Sequence, residues 1–142
     1  MRHRKVSRKL GVDGSHRKSL LRNLLTSLVD HERLETTHVR CKVLKREFDK
    51  LVTTAKKGTL HHKRLVASVL FRKDMVTKLF EELAPRYADR HGGYSRIIPR
   101  GRRRGDAAEV SIIELLGSEA KTAAAAAPKE KAEGEDKEKK AE

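Results

Sequence analysis

The sequence predicts a single α+β domain in which about four helices pack on a small mixed or antiparallel β-sheet. Apolar residues recur at helical spacing in four successive stretches, and two β-prone runs follow near residues 94–98 and 110–116. Neither end of the chain has enough apolar residues to form part of a core. We therefore expect a basic N-terminal arm at 1–14, the folded domain at 15–117, and a disordered, low-complexity Ala/Lys/Glu tail at 118–142.

The first helix is predicted from Ser15 to Asp30, with Ser15 as its N-cap. Its leucines at 20, 21, 24, 25 and 28 fall at helical spacing. Arg17, Lys18 and Arg22 occupy the first two turns, where positive charge opposes the helix dipole. Because a nearby phosphate would reverse that mismatch, this end of the helix and the arm are predicted to face an anion.

A brief strand is expected within residues 31–37, before a second helix from Thr37 to Lys57. Gly58 allows the left-handed turn that ends this helix. The inward stripe of the helix consists of Leu44, Phe48, Leu51, Val52 and Ala55.

Two shorter helices follow, one capped by Thr59 and one capped by Asp74, and Pro85 ends the series. The inward residues of the first are Leu65, Val66, Val69 and Leu70. Those of the second are Met75, Val76, Leu79, Phe80 and Leu83.

The two β-prone runs flank an arginine-rich turn and are predicted to form a hairpin. Pro99 confines the first run to a sheet edge or a strand end, because proline cannot donate a ladder hydrogen bond. The second run has apolar residues at both parities and is expected to be covered on two faces. No acid lies between Tyr94 and Gly105, but five arginines do: Arg96, Arg100, Arg102, Arg103 and Arg104. Since the guanidinium fork pairs with phosphate oxygens, this turn indicates binding to a nucleic-acid backbone.

The charge of the chain supports the same interpretation. The formal net charge is +14, and residues 1–118 contain 28 Lys and Arg against 13 Asp and Glu. A domain of this charge attracts polyanions and gains affinity by releasing their counterions. The alternative is a solvated charged surface, but a surplus of this size would strain a lone compact domain.

Other classes of function have little support in the sequence. Cys41 is the single cysteine, so we expect a buried small hydrophobe in a reducing compartment and no internal disulfide. His61 and His62 are expected to point apart on a helix, and with no CxxC, HExxH or carboxylate cluster beside them no metal site is predicted. No apolar run approaches the roughly 18 to 20 residues of a membrane span, and no signal peptide is recognised. The prediction is a cytoplasmic protein that is not an enzyme and has no cofactor or small-molecule substrate.

Four segments together resemble the family of the bacterial large-subunit ribosomal protein L17, over about residues 1–116. They are MRHRK at the start, HRKSLLRNLLTSLVDHERLETT from His16, LFRKDMVTKLFEELAPRYADRHGGYSRI in the middle, and RRRGDAAEVSIIEL near the end. Glu109 stands where a proline is frequent in the family, and residues 61–64 are a looser version of its basic patch.

The resemblance implies an α+β structural constituent of the large (50S) ribosomal subunit, with no catalytic chemistry. It implies that the chain binds 23S ribosomal RNA, stabilises its tertiary structure near the polypeptide exit, and contacts neighbouring large-subunit proteins as a monomer within the ribosome. Recognition of A-form RNA is expected to depend on phosphates, 2′-hydroxyls, shape and splayed bases.

The candidate RNA-binding residues form three sets. The arm set is Arg2, His3, Arg4, Lys5, Arg8, Lys9, His16, Arg17, Lys18 and Arg22. The third-helix set is His61, His62, Lys63 and Arg64. The hairpin set is Tyr94, Arg96, Arg100, Arg102, Arg103 and Arg104. Tyr94 has two alternative roles, stacking on a base or packing on its own domain.

Two alternative functions stay open at this point. A free nucleoid protein or RNA chaperone would have the same composition, although basic segments at both ends of the domain favour one shaped site. A basic amphipathic helix on an anionic membrane is the other, but the leucine face of the first helix is better explained as core, because other helices offer matching stripes.

Overall fold

The computed structural model describes residues 8–117, so part of the predicted arm and the whole predicted tail lie outside the described residues. Within this range the chain has the predicted α+β fold, with a three-stranded antiparallel sheet. The elements are α1 (Gly14–His31), β1 (Arg33–Thr37), α2 (His38–Ala55), α3 (Leu60–Ala67), α4 (Lys73–Lys78), a π-helical turn (Leu79–Leu83), α5 (Ala84–Arg86), β2 (Ser95–Arg102) and β3 (Glu109–Leu115). The last three helical elements are consecutive and make up the predicted fourth helix, which ends one residue after Pro85.

The N-caps of the helices agree only in part with the prediction. Thr59 caps α3 as predicted, and its Oγ1 accepts a backbone N–H of the first turn at 3.4 Å. Asp13 rather than Ser15 precedes α1, and Arg72 rather than Asp74 precedes α4. Asp74 therefore lies inside the first turn, where its charge still favours the helix dipole.

The sheet has β3 in the centre, between β1 and β2. Leu34, Ile113 and Ile97 lie opposite one another across the three strands. Opposed residues of an antiparallel pair share a face of the sheet. Since Ile113 belongs to the core and the other two residues pack against it, this face is the one toward the helices. Pro99 lies on an edge strand, as predicted, and the register shifts between Pro99 and Gly101 in the manner of a β-bulge.

Helix α2 lies at the centre of the core and contacts all three strands, α1, α3 and the π-helical turn. The predicted stripe is confirmed, and Cys41 is buried with it. Leu65 was wrongly predicted to face inward: it is 45% exposed, because the short helix α3 buries only Val66. The expectation that β3 is covered on two faces holds fully for the face toward the helices and in part for the outer face. There Ile112 is half-buried beside Ile98, which is 38% exposed, and Glu114 is 8% exposed and pairs with Arg96.

Candidate nucleic-acid interface

The N-terminal turns of α1 present the described part of the arm set. Asp13 makes no side-chain capping hydrogen bond, and no acid lies in the first turn. The first backbone N–H groups of the helix therefore donate no hydrogen bond to an acidic side chain. Lys18 and Arg22 are four residues apart and therefore share a face of the helix. The set has exposed members, Arg8, Lys9, His16 and Lys18, and half-buried members, Arg17 and Arg22. Arg2, His3, Arg4 and Lys5 lie outside the described residues.

A tight turn joins β2 to β3 and holds the tip of the hairpin. The Arg103 backbone N–H donates to the Ala108 carbonyl at 2.9 Å, and the Ala107 N–H donates to the Arg103 carbonyl at 3.0 Å. The Asp106 carboxylate accepts hydrogen bonds from Nε and Nη2 of Arg103 at 3.0 and 2.5 Å. It also accepts the Ala108 N–H at 3.3 Å. These bonds, the one from the Arg103 side chain above all, lower the pKa of Asp106 to about 2.

Three of the five hairpin arginines have carboxylate partners. Arg96 pairs with Glu114 on the neighbouring strand, and Arg100 pairs with Glu35 on β1. Arg103 pairs with Asp106, as described above. Although no acid lies between Tyr94 and Gly105 in sequence, strand pairing brings acids from β1 and β3 to these arginines.

Arg102 and Arg104 differ from the other three. Both are exposed, and within residues 8–117 neither has an acidic group within ion-pairing distance. Arg102 also lines an open pocket of about 350 Å³. His38 and Ser111 line the same pocket, with 2.8 Å between His38 Nδ1 and Ser111 Oγ. The hairpin therefore carries two guanidinium groups without an ion-pair contact at its exposed end, where an anion can reach them, although Glu109 lies opposite Arg102 in the strand register and lines the same pocket.

Tyr94 does not lie on the surface with the arginines. It is 1% exposed, and its ring centroid lies 5.1 Å from that of Tyr87. Its hydroxyl is 3.4 Å from Thr53 Oγ1, and its backbone N–H donates to Asp49 at 3.3 Å. Stacking of Tyr94 on a base is therefore wrong for this fold, and the alternative, packing in its own domain, is what the structure has.

The third-helix set lies on α3 and the start of that helix is well defined. Thr59 Oγ1 lies 2.6 Å from His62 Nδ1, and the rings of His61 and His62 meet edge to face with centroids 5.5 Å apart. The expectation that the two histidines point apart is therefore wrong. Lys63 and Arg64 are exposed, and Lys63 Nζ lies 5.7 Å from the centroid of the Phe80 ring in the π-helical turn. The three sets lie on different elements and do not form a single pocket.

One feature beside α1 is absent from the predicted sets. Phe71, in the connection between α3 and α4, is 61% exposed, and the guanidinium carbon of Arg22 lies 5.1 Å from its ring centroid. Arg72 follows it and pairs with Asp30 at 2.9 Å. The sequence pattern that could have indicated this feature is Phe71 followed by Arg72 and Lys73, where the connection between α3 and α4 ends. An aromatic residue at that place fits a core position equally well.

The described part of the chain holds neither a cluster of metal-ligating side chains nor a membrane-crossing helix. No group of three or more His, Cys, Asp or Glu side chains between residues 8 and 117 is placed to hold a metal ion. No helix in that range is long and apolar enough to cross a membrane.

Comparison with known proteins identifies similar chains over most of this sequence. A sequence model of the family described as Ribosomal protein L17 matches residues 20–116. The large ribosomal subunit protein bL17 of Acidobacterium capsulatum is 49% identical over 84% of this chain and 74% of its own length. The protein of the same name from Pelobacter propionicus is 48% identical over 84% of this chain and 94% of its own length. That from Desulfitobacterium hafniense is 52% identical, covering 77% of this chain and 97% of its own length.

Proposed function

Because this chain belongs to the Ribosomal protein L17 family, we propose that it is a structural constituent of the large (50S) ribosomal subunit that binds 23S ribosomal RNA near the polypeptide exit. Its relatives are named as large-subunit proteins, which supports a structural rather than an enzymatic role, carried out in the cytoplasm with the ribosome. Neighbouring large-subunit proteins are its expected protein partners.

The observation that supports RNA binding most directly is the charge arrangement on the hairpin. Arg102 and Arg104 are exposed without a carboxylate, whereas Arg103 beside them is held by Asp106. The turn is fixed by its own backbone hydrogen bonds, so less backbone freedom is lost when the two guanidinium groups that it carries bind an anion. Each phosphate that they neutralise releases counterions, which favours association.

The rest of the domain acts as a rigid support for these groups. The apolar core joins α2 to the sheet, so the hairpin and α1 are held by one packed body. Cations on α1, α3 and the hairpin are spread over several elements, an arrangement that fits phosphates of several RNA segments better than one linear duplex. In this role the protein neutralises RNA strands that would otherwise repel each other and so stabilises their tertiary packing.

Sucrose-gradient sedimentation tests the proposal. A cell lysate is separated before and after a high-salt wash, and the fractions are probed for the full-length protein. We expect one copy per large subunit, retained through the wash, and ultraviolet cross-links from the hairpin to 23S rather than 16S RNA. Presence mainly in light or nucleoid fractions, or complete loss in moderate salt, would instead favour a free nucleic-acid-binding protein.

A further inference from the structure

Phe71 is an aromatic side chain that the fold leaves in water. It is 61% exposed, whereas Phe48 is fully buried and Phe80 packs against the core. Phe71 lies in the connection between α3 and α4, and the adjacent Leu70 is buried and anchors that connection. The ring therefore points away from the core and, unlike the other two phenylalanines, contributes little buried apolar surface to it.

The surroundings of the ring are cationic. Arg22 lies over the ring, with its guanidinium carbon 5.1 Å from the centroid, in cation–π geometry. Lys18 shares that face of α1, and Arg72 and Lys73 directly follow the ring in sequence. Asp30 and Asp74 are the acids in contact with this group, both through Arg72, at 2.9 and 3.8 Å, which leaves four cations against two acids. The patch therefore combines an open π face with a surplus of positive charge.

We propose that Phe71 and Arg22 form a stacking site for one unpaired RNA nucleotide, with the base on the open face of the ring and its phosphate contacted by Arg22. This inference rests on the proposed RNA-binding function and specifies a nucleotide contact within it. Single-stranded RNA supplies both an aromatic face and an adjacent negative charge, which are the two things the patch can bind. An apolar protein surface satisfies only the ring and would bury the cations unpaired, and the centres of protein interfaces are depleted of charge.

The chain contains no tryptophan, so a Phe71→Trp variant carries a single tryptophan fluorophore at the site. The full-length variant is titrated with an unstructured, mixed-sequence single-stranded RNA oligonucleotide and with an abasic ribose-phosphate strand of the same length. Occupancy is followed separately by the anisotropy of a label on each strand. At equal occupancy we expect the RNA to quench the tryptophan emission and the abasic strand to leave it unchanged, because only the former has bases to stack. Equal quenching by both strands, or by neither, would overturn the proposal.

Affinities of further variants distinguish stacking from simple apolar contact. Phe71→Ala and Phe71→Leu should both weaken RNA binding by roughly 5- to 100-fold, with an unchanged salt slope since no phosphate contact is removed. Leu60→Ala is the matched control, because Leu60 is 64% exposed and aliphatic, and it should bind as the original chain does. Full RNA affinity in Phe71→Leu would show that an apolar side chain is enough and would overturn the stacking site. Unchanged RNA affinity in Phe71→Ala together with loss from the large subunit would indicate a protein contact instead and would also overturn the site. Failure of the original chain to bind RNA would reject the proposed function itself, whereas normal binding with an unaffected Phe71→Ala rejects the nucleotide site alone.

Discussion

The Arg86 guanidinium donates two hydrogen bonds to the Glu32 carboxylate, at 2.6 Å from Nη1 and 3.3 Å from Nη2. Glu32 ends α1 in a left-handed conformation with φ of 58°, and its carbonyl accepts the Leu115 N–H at 2.9 Å. Hydrogen bonding to Glu32 raises the pKa of Arg86. This pair therefore joins the end of the helical series to the end of α1 and to the central strand.

Breaking this pair from one side should destabilise the domain strongly. Arg86→Met leaves the Glu32 carboxylate, which is only 7% exposed, without its main partner, so we expect a loss of about 3 kcal/mol in the free energy of unfolding. Urea denaturation followed by circular dichroism measures the loss. A Glu32→Gln/Arg86→Met double variant should recover part of it, because the buried carboxylate charge is then removed together with Arg86; Lys78, 3.9 Å from Glu32, keeps its hydrogen bond to the Asp30 carbonyl.

The Arg72–Asp30 pair provides the control for that measurement. Its side chains are 54% and 31% exposed, so Arg72→Met should cost about 0.5 kcal/mol or less. Equal losses in the two arginine variants would show that the Glu32 pair behaves as an ordinary surface pair.

Removing the two hairpin arginines that make no ion pair should weaken RNA binding and reduce its salt dependence. Arg102→Ala/Arg104→Ala removes up to two phosphate contacts, so the slope of log affinity against log salt should fall by up to about 1.5. Adding Arg103→Ala, to give the triple variant, should weaken binding further. The measurement is filter binding to 23S RNA fragments at several salt concentrations.

A charge-matched variant separates local contacts from total charge. Lys42→Ala/Lys57→Ala also removes two positive charges, but from exposed positions of α2 and of the turn that follows it. Its salt slope should change less than that of the hairpin variant. Equal slopes in both variants would mean that the hairpin arginines make no specific phosphate contacts.

The Asp106 carboxylate should give the hairpin tip a distinct response to acid. Its pKa is lowered to about 2 from an ordinary value of 3.8, mainly by the hydrogen bonds from Arg103. A lowered pKa means that the contribution of the group to stability is fully present above about pH 4 and is lost as the pH falls through about 2. Nuclear magnetic resonance of the Asp106 carboxyl carbon and of the Ala108 amide should show this titration. In Asp106→Asn the step in the Ala108 amide should vanish, and titration near the ordinary value would contradict the arrangement.

The local patterns of the sequence predicted the elements well because they depend on neighbouring residues. The stripe of α2, the Thr59 cap and the edge position of Pro99 all follow from spacing and from backbone chemistry. The partners of Arg96 and Arg100 could not be predicted in this way. Glu35 lies 65 residues before Arg100 and reaches it only because β1 pairs with β3. The same limit applies to Tyr94 and to Phe71, whose burial and exposure are decided by which helices pack beside them.

The Cys41 thiol should be unreactive in the folded protein. It is fully buried, with Sγ 3.4 Å from the Ser111 carbonyl, and desolvation raises the pKa of the thiol. Because the thiolate is the reactive form, labelling by a disulfide reagent at pH 8 should be slow and should accelerate only with unfolding in urea. Rapid labelling without urea, at the rate of a free cysteine, would indicate that the contact between α2 and β3 opens locally.

Truncation after Gly117 should leave both folding and assembly intact. The last contacts that close the described domain are made by Leu116, whose N–H donates to the Tyr94 carbonyl at 3.0 Å and whose carbonyl accepts the Tyr87 hydroxyl at 2.7 Å. Beyond Ser118 the sequence carries six Lys against seven acids and, apart from Pro128, no apolar residue larger than alanine, so the shortened chain keeps the positive surplus and the core. A second truncation, after Glu114, removes Leu115, which is 1% exposed, together with Leu116. Loss of the buried Leu115 alone costs about 2–5 kcal/mol, a large part of the roughly 5–15 kcal/mol of a whole domain, and the half-buried Leu116 is lost with its two hydrogen bonds, so this shorter chain should unfold. Thermal denaturation and sucrose gradients test both chains: a folded chain ending at Gly117 that leaves the large-subunit peak would show that the tail itself contributes to assembly.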